Sequence, residues 1–264
     1  FVLVSGGLLG LISSVDAVIT DDAILWYHFD ENSGTDIDDS STYGFDGVMH
    51  DMLWNSSDQK LGTSCIDFNT TSSSILIGNQ TSHPLSNWTW DEPLSIEFWI
   101  QGPVYNMTPA AWRYVMNCRS GGPGNGLTLA TVNNYYCLLM GIGGTNFFEV
   151  RTPLYSFNVS SCWYHSVITY NGNETEFGFK WYINATDVIV YTGNTVSSSW
   201  NLSNVELDLG GYSLIHMDEL IIYDKCLNQS EINERYNDGD GVEPSEPPSA
   251  NFTISDNDTY RDTT

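Results

Sequence analysis

Basic side chains are scarce in this chain: 8 Lys and Arg stand against 33 Asp and Glu, for a formal charge of −25. A surface field of that sign repels phosphate backbones and anionic headgroups, which argues against nucleic acid as a partner. Catalytic signatures are missing too. There is no GxSxG elbow, phosphate loop or HExxH helix, and the five His are dispersed. No CxxC or Cys/His spacing points to zinc, so Cys65, Cys118, Cys137, Cys162 and Cys226 fit an oxidising compartment. No apolar run reaches the ~20 residues of a spanning helix. The strong helix formers Ala, Lys, Arg and Glu are few.

What is abundant is strand-forming. The chain is 13% aromatic, with 15 Tyr, 11 Phe and 9 Trp. From Ala23 onward, short strand-like runs alternate with Gly, Asn, Asp, Ser and Pro clusters, the pattern of a two-sheet antiparallel sandwich. The expected strands are Ala23–Phe29, Gly47–Trp54, Ser64–Phe68, Ser74–Ile77, Leu94–Gln101, Trp112–Cys118, Leu127–Thr131, Tyr135–Ile142, Phe147–Arg151, Trp163–Tyr170, Phe177–Asn184, Val188–Tyr191, Val205–Leu209 and Ile215–Tyr223. Polar and apolar residues alternate along Ser95–Ile100 and Glu176–Ile183, as half-buried strands require. One helix is expected, over Leu227–Tyr236, capped by Asn228 or Ser230 and stopped at Asp238-Gly239.

These signals divide the chain into an apolar N-terminal segment (1–22), a sandwich domain (23–238), a Pro/Gly/acidic linker (239–249) and a strand-like tail (250–264). Twelve Asn-x-Ser/Thr sequons begin at Asn55, Asn69, Asn79, Asn87, Asn106, Asn158, Asn173, Asn184, Asn201, Asn228, Asn251 and Asn257, well above the roughly 5 that chance allows. They point to N-linked glycans and an extracellular or cell-surface location. Cys118 and Cys137 flank a Gly-rich turn and are the expected disulfide across a hairpin; the pairing of Cys65, Cys162 and Cys226 is open. Phe1–Ala17 has the small residues of a signal-peptidase site but no basic leader, so it is read as part of the mature chain. Its greasy side chains need burial: within its own domain, as an anchor, or as a strand donated to a neighbouring copy in a head-to-tail homopolymer.

The order of motifs resembles the LamG-like jelly roll of the concanavalin A-like lectin/glucanase superfamily. The resemblance rests on Leu25–Gly34 with its acidic turn, the Asp39–Gly47 loop, Cys65–Asn69, Ser95–Ile100, Trp163–Gly172 with Trp181–Asn184, and Met217–Leu227. Thr42 and Ala185 replace glycines of the family pattern. Pro248–Thr253 is similar to the opening strand of a PKD-type immunoglobulin-like domain. The expected fold is therefore all-β: a concanavalin A-like jelly-roll sandwich of two antiparallel sheets with one short C-terminal helix. The resemblance also implies a structural calcium ion where the Asp39 loop meets the closing strand, held by Asp39, carbonyls near Gly44, Asp46 and one of Asp218 or Glu219. The competing reading has Asp39 and Asp46 capping turns and Asp218 bonding backbone.

Glucanases of this fold carry paired carboxylates as Glu-x-Asp-x-x-Glu, which is absent here. Glu97 stands alone, and the adjacent Asp218 and Glu219 are expected to point to opposite faces. No enzymatic activity is expected. Carbohydrate is a candidate partner through Trp88, Trp90, Tyr105, Trp112 and Trp200, which stand in or beside loops where rings can stack on sugars. The leading expectation is a non-enzymatic subunit of a glycosylated extracellular filament, sheath or surface layer. The alternative is a monomeric adhesin or carbohydrate-binding module; a glycoside hydrolase comes third.

Overall fold

The computed structural model describes residues 22–242, apart from 71, 78–82, 103–112, 120–125, 133–134, 143–145, 154–160, 174–175, 192–205 and 211–214. The first part of the chain forms β1 (Ala23–Tyr27), β2 (Asp36–Ile37), β3 (Gly47–His50), β4 (Leu53–Asn55), β5 (Cys65–Asp67), β6 (Ser74–Ile77), a one-turn helix α1 (Pro84–Asn87) and β7 (Leu94–Gln101). There follow β8 (Arg113–Arg119), β9 (Gly126–Val132), β10 (Tyr135–Ile142), β11 (Asn146–Arg151), β12 (Tyr164–Tyr170), β13 (Phe179–Ile183), β14 (Thr186–Asp187) and β15 (Val190–Tyr191). The last elements are β16 (Glu206–Gly210), β17 (His216–Tyr223) and helix α2 (Gln229–Tyr236). The order in the back sheet is β14-β13-β12-β7-β17-β5-β4, with β1 also beside β17; the front sheet runs β15-β11-β10-β9-β8-β16-β6-β3-β2. This is the two-sheet antiparallel sandwich that the alternating pattern predicts.

Side chains at alternate positions meet between the sheets. Ile96, Phe98 and Trp181 of the back sheet and Ile75, Leu129 and Leu138 of the front sheet belong to one core. The predicted single strand Gly47–Trp54 is two strands in different sheets. At Asp51 the backbone takes φ 50° and the chain crosses from β3 in front to β4 behind. The turn where Ala185 replaces the family glycine has positive φ at both Asn184 and Ala185 (49° and 60°), the hand a tight hairpin requires.

The back sheet has a second covered face, and here the half-buried reading of Ser95–Ile100 is corrected: every residue of β7 is buried. Trp26, Val167, Tyr182, Ile221 and Tyr223 pack outward against Leu227 and Ile232, so α2 seals this face. The helix begins as the sequence predicts. Asn228 accepts from the Ser230 and Glu231 amides (2.8 and 3.1 Å), and Glu231 returns a bond to the Asn228 amide (2.7 Å), closing a capping box.

The expected Cys118–Cys137 disulfide is overturned. Cys118 pairs with Leu127 on β9 and Cys137 with Ala130 on that same strand, from β8 and β10 on either side of it. Two strand spacings, about 10 Å, exceed the reach of a disulfide. Cys137 is a free, buried thiol whose Sγ lies 3.6 Å from the Ala130 carbonyl.

Candidate ligand-binding face

On the outer face of the front sheet the described side chains run from exposed, at Val48 and Leu76, through half-buried, at Asp208, Asn117, Tyr114 and Arg151, to buried, at Thr128 and Glu149 (5% and 6%). Register places Val48, Leu76, Asp208, Asn117, Thr128, Leu139 and Glu149 in one row across β3, β6, β16, β8, β9, β10 and β11. The row is graded. Val48 and Leu76 are directly paired and exposed (41% and 39%), an apolar end. At its centre Asp208 and Asn117 are half-buried, and the Thr128 hydroxyl donates to Asn117 Oδ1 (3.1 Å). At the far end Arg151 grips Glu149 through two bonds of 2.6 Å. A parallel row sets the half-buried Tyr114 beside Ala130, Cys137 and Arg151. The small buried Ala130 and Cys137 make a floor between these larger side chains. Sequence reasoning missed this face because no single motif encodes it; the only local signal was Thr128, Asn117 and Asp208 at polar positions of alternating strands.

The aromatic residues proposed for sugar stacking fare differently. Trp88 and Trp90 are core residues at 4% exposure, Trp90 lying 4.8 Å from Tyr170 and Trp88 edge-on to it at 6.0 Å, so neither presents a ring to solvent. Loop position misled here because both rings turn into the core against Tyr170 of β12. Tyr105, Trp112 and Trp200 lie outside the described residues, as do the sequons at Asn79, Asn106, Asn158, Asn201, Asn251 and Asn257 and the segment Phe1–Ala17. Asn69, Asn173 and Asn228 are exposed, Asn55 and Asn184 half-buried, and Asn87 lies in α1.

Glu97 is sealed from any substrate. It is 1% exposed and accepts from Arg235 Nε (2.9 Å), His165 Nε2 (2.9 Å) and the Tyr223 hydroxyl (2.8 Å). Burial alone would raise its carboxyl, but the Arg235 guanidinium, with His165 and Tyr223, brings it down to about 2.

Asp218 and Glu219 do not point to opposite faces as expected. β17 carries one extra residue against β7: Asp218 pairs with Trp99 but Ile221 with Glu97, and Glu219 sits at φ 50°. This bulge turns both carboxylates to the outer side. Asp218 Oδ2 accepts from the Lys60 and Leu61 amides (2.7 and 3.0 Å), while its buried Oδ1 has no partner. Burial, reinforced by Glu219 and Asp30, pushes Asp218 up to about 8 in spite of the two amide bonds. Glu219 takes Trp26 Nε1 (3.1 Å) and lies 2.8 Å from His28 Nδ1. Among the described residues no three His, Cys, Asp or Glu side chains converge as a metal cage.

A family model described as the concanavalin A-like lectin/glucanases superfamily matches residues 69–233. The chain belongs to this superfamily. No curated protein matches it. Among solved structures it is similar to the binding domain of Paraclostridial Mosquitocidal Protein 1, with a TM-score of 0.61 and 19% identity over 81% of this chain and 51% of that one. It is also similar to the receptor binding domain of botulinum neurotoxin C/D mosaic serotype (TM-score 0.63, 16% identity, 83% and 52% covered). A third is the botulinum neurotoxin serotype D ligand binding domain in complex with N-acetylneuraminic acid (0.59, 16%, 84% and 52%). At these identities the likeness shows the fold, and the chain spans about half the length of each of these domains. No helix of the described residues is long and apolar enough to cross a membrane.

Proposed function

We propose that this superfamily member is a non-enzymatic, extracellular glycan-binding module whose ligand lies across the outer face of the front sheet. The observation that carries the reading is the graded row from Val48 and Leu76 through Asp208, Asn117 and Thr128 to the Glu149–Arg151 pair. A pyranose presents an apolar ring face and a rim of hydroxyls, and this row offers contact surface for the first and both donors and acceptors for the second. The charge of −25 favours neutral over sialylated glycans, because an anionic sugar meets a repelling field. The test is binding to an array of neutral and sialylated oligosaccharides, with calorimetry on the hits. Asn117→Ala and Arg151→Ala each weaken binding about tenfold or more, the loss of one or two hydrogen bonds in a desolvated site. Failure of the folded protein to bind any neutral glycan overturns the reading.

Assembly into a filament is the second reading, favoured by the apolar run of Phe1–Ala17. Strand donation needs a long open edge; the described sheets end in β2, β14 and β15 of two residues each, β4 of three, and β1 of five, whose Trp26 backbone groups are already bonded to Asp39 and Ser40. Electron microscopy of native material decides it: fibres support assembly, and monodisperse monomers that retain Phe1–Ala17 exclude it.

A further inference from the structure

β1 pairs with β17 along one edge, and among the described residues no strand lies along the other. An open strand edge leaves backbone groups that need partners. At Trp26 both are supplied by the loop that follows β2: the Trp26 amide donates to Asp39 Oδ1 (2.9 Å), and the Ser40 amide donates to the Trp26 carbonyl (2.9 Å). Asp39 is committed further. Oδ1 also accepts from the Ser41 amide (2.9 Å), and Oδ2 accepts from the Ser41 hydroxyl and the Phe45 amide (2.8 Å each). Its own amide donates to Asp46 Oδ1 (3.0 Å).

A carboxylate offers about four lone-pair positions, and four donors fill those of Asp39. Their hydrogens point to where a cation would stand, whereas calcium asks for about 6–8 oxygen ligands directed at it. The other three residues of the implied site are engaged separately, Asp46 by the Asp39 amide, Asp218 by the Lys60 and Leu61 amides, and Glu219 by Trp26 Nε1 and His28. We infer that Asp39 serves as a surrogate strand on the open edge of β1 and takes no calcium, so that this end of the sandwich closes by hydrogen bonds alone.

The test is thermal unfolding and amide hydrogen exchange of the full chain in excess EGTA and in millimolar CaCl2. The melting temperature agrees within about 1 °C between the two, and the Trp26 amide is equally protected in both. Asp39→Asn, which puts an NH2 where an acceptor stood, lowers the melting temperature by the same amount in both solutions and speeds Trp26 exchange about tenfold. A calcium-induced rise that Asp39→Asn abolishes overturns the inference; a rise that survives the substitution places the ion elsewhere and leaves Asp39 in its edge role. If Asp39→Asn does not fold, the wild-type exchange decides: loss of Trp26 protection in EGTA overturns it, and unchanged protection supports it.

Discussion

Arg235→Ala is expected to unfold the sandwich from its sealed back face. Arg235 is 3% exposed and reaches from α2 to Glu97 on β7, 138 residues away in sequence, while its NH1 donates to the Val242 carbonyl (2.8 Å). Removing one partner of a buried pair leaves the other charge without compensation, at a cost of about 3–5 kcal/mol. For a domain of this size that is a fall in melting temperature of about 10 °C. The pH dependence is the sharper test. In the wild type the folded Glu97 carboxyl sits at about 2, below its ordinary value, so its contribution is present above about 4.5 and lost as pH falls toward 2. Without Arg235, burial governs, the carboxyl rises above its ordinary value, and its contribution is present only at low pH and lost as pH rises. The difference between the two proteins therefore widens from pH 4.5 to pH 8. Urea unfolding followed by the fluorescence of the nine Trp measures it. Adding Glu97→Gln to the variant is expected to recover part of the loss at neutral pH. A loss under about 1 kcal/mol, or one that is flat with pH, refutes the reasoning.

Asp218, pushed up to about 8, contributes stability at low pH that is lost as pH rises from about 4 to 8, so the wild-type melting temperature falls between about pH 5 and 8 and levels off above, and Asp218→Asn flattens that fall. Differential scanning fluorimetry from pH 5 to 9 reads both curves. Burial pushes the Cys65 and Cys137 thiols up and shields them, so thiol titration of the native protein finds them silent and unfolding without reductant releases them; a Cys137 that stays blocked in denaturant contradicts the strand order given above. Among the sequons of the described residues, Asn69, Asn173 and Asn228 are the exposed ones and are expected to carry glycan ahead of the half-buried Asn55 and Asn184; peptide mass mapping after enzymatic deglycosylation reads this as Asn-to-Asp conversion.

The amino-acid sequence by itself determined that this chain is a sandwich, because the signals for it are local. Alternation along Ser95–Ile100 and Glu176–Ile183 specifies strands, and Asn228 with Glu231 three residues later specifies where α2 starts. What faces the other side of a strand is not local. Glu97 looks solvated beside Ile96 and Phe98, yet Arg235 and Tyr223 arrive from more than a hundred residues away to bury it. Asp218 and Glu219 look opposed until one unpaired residue in β17 turns them to the same side, and Trp88 and Trp90 look like loop aromatics until their rings meet Tyr170. The graded row of the front sheet exists only once seven strands stand in register, since each contributes one residue position to it. Tertiary structure decided these points for one physical reason: the energy of a polar or aromatic side chain depends on which distant surface covers it.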